Sequence, residues 1–348
     1  MIFDAGRSLP ADFWRARDQL DQLDLALDQL ALKDRNFDRF ALMLIDNVVE
    51  LTLHQHAQDT RLDAELYRLD DGPRYDPKLV AAALGSHFDT KVKLARTTGL
   101  ITDKLAESLQ YLHGFRNTAY HRGARHEGIL HALALFYARL TCQALGQYEP
   151  LYFMSSSTDH LPHRAGKYLG ALRSASPRDA FNLAWQRLDI VAANQGDTLV
   201  VDPCADMEKT IDAVDDQITF LATNSAPAGI ARGQVILDCQ LWPFAYSEQG
   251  EAFAAANGGP TPLTPGYVDW IERHYRWPQR ADPIPSWRRR AASLAVEKDP
   301  HAALKKYCEF MNQSEALRTA IDTSANQLDA HIQAQVDSML EERHRDHL

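Results

Sequence analysis

The sequence predicts an all-α protein, a helical bundle followed by a mainly helical C-terminal region. Three observations lead there. Apolar residues recur three and four apart over most of the chain, as in Leu20, Leu23, Leu27 and Leu30, which is the period of an amphipathic helix. One segment, from about 126 to 146, is apolar nearly all round, as a central core helix must be. Only two short runs, Thr198–Val201 and Gln234–Leu237, read as strand candidates, too few for a sheet.

The elements follow in order. Residues 9–33 predict a first helix, with Asp12 able to cap it. Residues 36–58 predict a second. At about 100° per residue, Leu42, Leu44, Ile45, Val48, Val49, Leu51 and Leu53 cover a wide apolar arc. The remaining strip carries Asp46, Asn47, Glu50 and His54 and faces either water or a polar cleft. In the cleft reading, Asp46, Glu50 and His54 follow i, i+4 spacing and could reach one cation. Asp70-Asp71-Gly72-Pro73 is a turn. A third helix is expected over 77–97, ending before Gly99, and a fourth from a Thr102 or Asp103 cap to about Tyr120, broken by Gly123. The apolar fifth helix then closes a compact domain over residues 1–150.

Residues 151–175, with a serine triplet, Pro162 and Gly166, read as a linker or irregular excursion. Residues 176–348 form the C-terminal domain. Helices are expected over 177–193, 203–223, 265–276, 299–311 and 314–343, with Trp270, Trp277 and Trp287 as aromatic plugs among Gly- and Pro-rich turns. The last helix carries Leu317, Ile321, Ala325, Leu328, Ile332, Val336 and Met339, one seam on an eleven-residue period. That seam packs on its own body or on a second copy.

A chain of 348 residues allows about two domains. Hydrophobic residues at 45% and charged residues at 24% are ordinary globular composition, so a sizeable core is expected. The net charge of −10 excludes a surface that is basic throughout. A polyanion site must be a local patch. Cys142, Cys204, Cys239 and Cys308 are far apart in sequence, which suits free thiols in a reducing compartment. No signal sequence is evident, and the most apolar stretch, Ile129–Leu145, is interrupted by His131 and Arg139. The expectation is a soluble, cytoplasmic protein with no membrane partner.

Several chemistries lack their residues. There is no phosphate-cradling Gly-rich loop, no His-Glu-x-x-His and no Gly-x-Ser-x-Gly elbow. His54-Gln55-His56 and His126-Glu127 lack the spacing to share an ion. No metal and no cofactor are expected.

What remains is Phe115-Arg116-Asn117-Thr118-Ala119-Tyr120-His121. Metal-free RNA cleavage needs a base for the ribose 2′-hydroxyl, a cation for the crowded phosphorane and an acid for the leaving oxygen. Histidine titrates near neutrality, arginine forks onto phosphate oxygens while always charged, and Asn117 can hold an orientation by hydrogen bonding. On one helix, Arg116 and His121 are displaced by about 7.5 Å and roughly 140°. One copy grips a phosphate poorly, whereas two copies across a two-fold axis could converge on it. From Lys91 to Arg125 there are seven basic residues against two acidic ones. Lys91, Lys93, Arg96, Arg122 and Arg125 are the candidate RNA contacts.

The pattern Arg-Asn-x-x-x-His, preceded by a long apolar helix with an acidic strip and followed by a hydrophobic helix, resembles the HEPN superfamily over about residues 36–146. The resemblance implies an all-α dimer and a metal-independent endoribonuclease that leaves a 2′,3′-cyclic phosphate. Arg116 and His121 would be catalytic, with Asn117 beside them. It also implies a polar or acidic residue on the earlier helix near the site, for which Asp46, Asn47 and Glu50 qualify, with Tyr120 a further neighbour. A toxin or anti-phage setting follows from family analogy alone; a homodimer or higher even-numbered oligomer and a protein regulator are the expected partners besides RNA. Arg288-Arg289-Arg290 and Lys305-Lys306 are further candidate RNA contacts, or plain surface charge. The alternative is a non-catalytic helical dimer that binds a protein or nucleotide partner.

Overall fold

The computed structural model describes residues 12–66, 74–121, 127–151, 163–169, 177–196 and 198–345. Among them are fourteen α-helices, one 3-10 turn and no strand. The chain divides into two compact units.

The first unit comprises Met1–Pro203 with Lys298–Lys305. Its helices are α1 (Asp12–Leu30), α2 (Arg35–Leu66), α3 (Pro77–Ala83), α4 (Phe88–Thr97), α5 (Asp103–His121), α6 (Leu130–Gln147), α7 (His163–Leu169) and α8 (Pro177–Asn194). It therefore takes in α8, beyond the residue where the sequence reading ends its first domain. Helix α6 is the core element, with Leu133, Ala134, Tyr137, Ala138 and Leu140 at most 1% exposed. It packs on α2 and α8, and α1 lies against α2.

Three buried aspartates of α2 are clasped from α6 or the residue just after it. Asp38 accepts from His131, Asp46 from the Tyr137 hydroxyl, and Asp59 from the Tyr148 hydroxyl. Both series of residue numbers rise together, so α2 and α6 run parallel. Asp24 of α1 is fastened in the same way by Tyr168, Arg164 and Lys167 of α7. Each carboxylate left without such partners would lose its solvation uncompensated.

Several sequence expectations change here. Helix α2 continues to Leu66, and Leu51, expected in its buried arc, is 50% exposed. The helix expected over 77–97 is two, broken at Gly85-Ser86, where the Thr90 hydroxyl donates to the carbonyls of Ala82 and His87. Thr102 rather than Asp103 caps α5, accepting from the Leu105 amide. Thr198–Val201 is no strand. It turns into α9 (Val201–Asn224), and Pro203 sits in the first helical turn, where its missing N–H costs nothing. The turn at 70–73, the break at Gly123 and most of 151–175 lie outside the described residues.

The second unit comprises Cys204–Glu297 with Lys306–Leu348. It holds most of α9, then α10 (Arg232–Ala245), α11 (Glu248–Ala256), α12 (Tyr267–His274), α13 (Ile284–Ala295) and most of α14 (Pro300–Arg345). The ambiguous run Gln234–Leu237 is helical within α10. The two terminal helices expected from the sequence are one, because no Gly or Pro follows Pro300. Leu237, Leu241, Ala245, Ala254, Tyr267, Ile271 and Trp277 form one core cluster. Trp277 and Trp287 are plugs as expected, each 7% exposed. The four cysteines are buried and free. No helix among the described residues is long and apolar enough to cross a membrane.

Two outcomes follow. A Cβ at Gly250 would sit 2.1 Å from the Phe244 carbonyl oxygen. Backbone cannot yield there cheaply, so Gly250→Ala lowers the unfolding free energy by about 2 kcal/mol, seen as a lower denaturant midpoint at unchanged slope. His56 is held neutral by burial, which pushes its pKa from 6.5 down to about 4, with Asp59 opposing the shift. As pH falls, the unfolded chain takes up this proton first. His56 therefore costs stability progressively from about pH 6.5 down to about 4. Urea unfolding of His56→Gln, compared with wild type across that window, shows a shallower loss.

Candidate functional site

Helix α5 carries the motif to its C-terminal end, with Arg116 a turn and a half before His121. The side chains of Tyr120 and His121, and all of Arg122 and Arg125, lie outside the described residues. Arg116, Asn117 and their surroundings are described.

Asp46 is the centre of the arrangement. It lies mid-helix in α2 and is 0% exposed. Its Oδ1 accepts from the Tyr137 hydroxyl at 2.8 Å and faces His113 Nδ1 at 2.9 Å. A carboxylate only accepts, so Nδ1 of His113 carries the proton. The other oxygen, Oδ2, lies 3.2 Å from Arg116 Nε. That is an ion-pair distance, yet neither atom completes an aligned hydrogen bond. The contact is one of charge, with the N–H aimed off the line. Arg116 also donates through Nη1 to Asn117 Oδ1 at 2.9 Å. Its side chain remains 30% exposed, so the guanidinium is not sealed in the core. Burial raises the Tyr137 hydroxyl pKa well above 10, and the Asp46 charge raises it further. Tyr137 is therefore a fixed donor to Asp46 rather than a proton carrier.

The acidic strip of α2 thus divides between different partners. Asp46 turns inward to α5 and α6. Glu50 pairs with Lys91 of α4 at 3.1 Å. His54 Nε2 meets Gln58 Nε2 at 3.1 Å, and Asn47 is exposed and donates to Gln22 of α1. Asp46, Glu50 and His54 therefore do not converge on a shared cation. No group of three or more His, Cys, Asp or Glu residues among the described residues could hold one. Of the neighbours expected beside Arg116, the structure brings Asp46 to it and turns Asn47 away.

The basic segment is less open than its count suggests. Lys91 is 3% exposed and bound to Glu50, which commits its ammonium to the interior. Arg96 lies 3.6 Å from Asp103, and Lys104 2.6 Å from Asp299. Lys93 is exposed, with no ion pair among the described residues. Arg288 bridges Asp212 and Asp215, Arg290 lies over Phe310, Lys305 meets Glu107 and Lys306 meets Glu297. These residues are fastened within their own units. Arg289 is exposed.

His113 is the residue that the motif reading passed over. It stacks on Phe88 at 3.9 Å, with the rings 3° apart, and its side chain is 18% exposed. His113 and Arg116 stand three apart, on one face of α5, and both reach Asp46. That i, i+3 spacing was visible in the sequence. A histidine held through Nδ1 by a buried carboxylate presents Nε2 in one fixed tautomer.

Asp46→Asn keeps the volume but removes the charge and turns an amide donor toward donors. It lowers the unfolding free energy by about 3 kcal/mol, while Tyr137→Phe costs about 1 kcal/mol. Denaturant titrations followed by helical circular dichroism measure both. Equal costs would mean that the Asp46 charge is not what the site is built on.

Comparison of the chain with family models, with curated proteins and with solved structures finds no match.

Proposed function

We propose that this chain is a metal-independent endoribonuclease of HEPN type, working as a dimer whose two α5 ends share one cleft. The observation that supports it most is the seating of Arg116. Its guanidinium is charge-paired with a buried carboxylate from α2, accepted by Asn117, and still part-exposed. A cation fixed this way keeps its charge and loses little rotamer freedom when it meets a phosphate.

In the proposed reaction, one histidine takes the proton of the ribose 2′-hydroxyl. The oxygen attacks the adjacent phosphorus, and the phosphorus–5′-oxygen bond breaks. An acid then protonates the 5′-oxygen. The products are a 2′,3′-cyclic phosphate and a 5′-hydroxyl. Arg116 stabilises the charge on the non-bridging oxygens. His121 serves as base or acid, and Asn117 and Asp46 hold Arg116 in place. The toxin or defence setting rests on family analogy alone, and the cytoplasmic location on the scattered thiols and the missing signal sequence.

One observation favours a second reading. The same contacts of Arg116 with Asp46 and Asn117 also suit an arginine that only ties α5 to α2. A helical dimer that binds a protein or nucleotide partner would need nothing more.

Cleavage of RNA in excess EDTA separates the two readings. Arg116→Ala and His121→Ala each lower the rate by about 100-fold or more, with the light-scattering mass unchanged. Mass spectrometry finds 2′,3′-cyclic ends. Cleavage that is absent from wild type favours the binding module, and cleavage that persists equally in both variants comes from a contaminant or another site. If His113→Ala alone abolishes cleavage, the proton-transfer role belongs to His113.

A further inference from the structure

Helix α14 loses its cover long before it ends. In the second unit its buried seam runs through Tyr307, Phe310, Ser314, Ile321 and Ala325. Beyond Ala325 the helix continues for twenty residues to Arg345, about 30 Å. No described residue in that stretch is buried, and Val336, Met339 and Leu340 are 43%, 61% and 58% exposed. A lone polar helix of this length is marginal in water. An apolar stripe carried along it is a cost unless something covers it.

The sequence of that stripe specifies its own partner. Asp329, Ile332, Val336, Leu340 and Arg343 are spaced three, four, four and three residues apart. At about 100° per residue, all five positions fall within roughly 40° of Val336. The pattern reads the same in both directions except for charge, which is acidic at one end and basic at the other. Two copies laid antiparallel about Val336 set Ile332 opposite Leu340, Val336 opposite Val336, and Asp329 opposite Arg343 at both ends. A parallel pairing instead sets Asp329 against Asp329 and Arg343 against Arg343, like charges in contact.

We propose that residues 326–345 form an antiparallel helix pair with a second copy of this chain, centred on Val336. The pairing does not require the nuclease reading, and its test involves no RNA. The seam's eleven-residue period favours nearly straight helices over a tight left-handed supercoil.

Cysteine cross-linking reads the register directly, since the four native thiols are buried. Full-length Ile332→Cys and Leu340→Cys chains, carrying different tags, form a mixed disulfide dimer when oxidised together. Ile332→Cys alone does not link to itself, because the two sites are then about 12 Å apart along the axis. Arg343→Asp lowers the yield of that mixed disulfide by about tenfold or more, whatever other contacts hold two copies together. The double variant Asp329→Arg with Arg343→Asp restores it. A wild type that is monomeric by light scattering at tens of micromolar, efficient self-linking of Ile332→Cys, or failure of the charge swap to restore the mixed disulfide would overturn the proposal.

Discussion

The carboxylate of Asp46 is the constraint on which the first unit's arrangement depends. A fully buried charge must be compensated or the helix that carries it cannot pack. Compensation comes from three side chains on two other helices: Tyr137 of α6, and His113 and Arg116 of α5. One atom group thereby fixes the rotation of three helices about their axes. The same demand seats Arg116 at the end of α5. If Arg116 acts on a phosphate, its position is a by-product of solvating Asp46.

The solution is repeated along the unit. Asp38 and Asp24 each meet a histidine or a tyrosine from a neighbouring helix, and Asp59 meets Tyr148 just past the end of α6. Within the second unit, Asp206 does the same with Tyr307. Apolar packing alone tolerates sliding of one smooth helix over another. Buried hydrogen bonds at intervals do not, because a shift of one turn would orphan each carboxylate. Specificity of register, more than net stability, is the expected return on burying them.

The helical class was legible because it rests on period, and period is local. The core role of α6 was equally plain from its all-round apolar sequence. Boundaries were less so. Gly85-Ser86 divides a run whose apolar spacing continues through it, and the β-branched run before Pro203 imitates a strand. The polar strip of α2 shows the limit most clearly. Asp46, Asn47 and Glu50 look alike in sequence, yet one is buried against α5 and α6, one is exposed toward α1, and one pairs with α4. Which of them faces Arg116 depends on helix rotation, a tertiary property. Lys91 misled for the same reason. The His113–Arg116 spacing was the one signal for the Asp46 cluster, and it was overshadowed by the longer motif.

The Asp46–Arg116 interaction can be measured in isolation by a double-mutant cycle on unfolding free energy, using Asp46→Ala, Arg116→Ala and the pair. If this contact organises the site, the coupling energy is about 2 kcal/mol, and the double variant is less damaged than the sum of the singles. Additivity to within about 0.5 kcal/mol would contradict it, leaving Arg116 held by Asn117 alone.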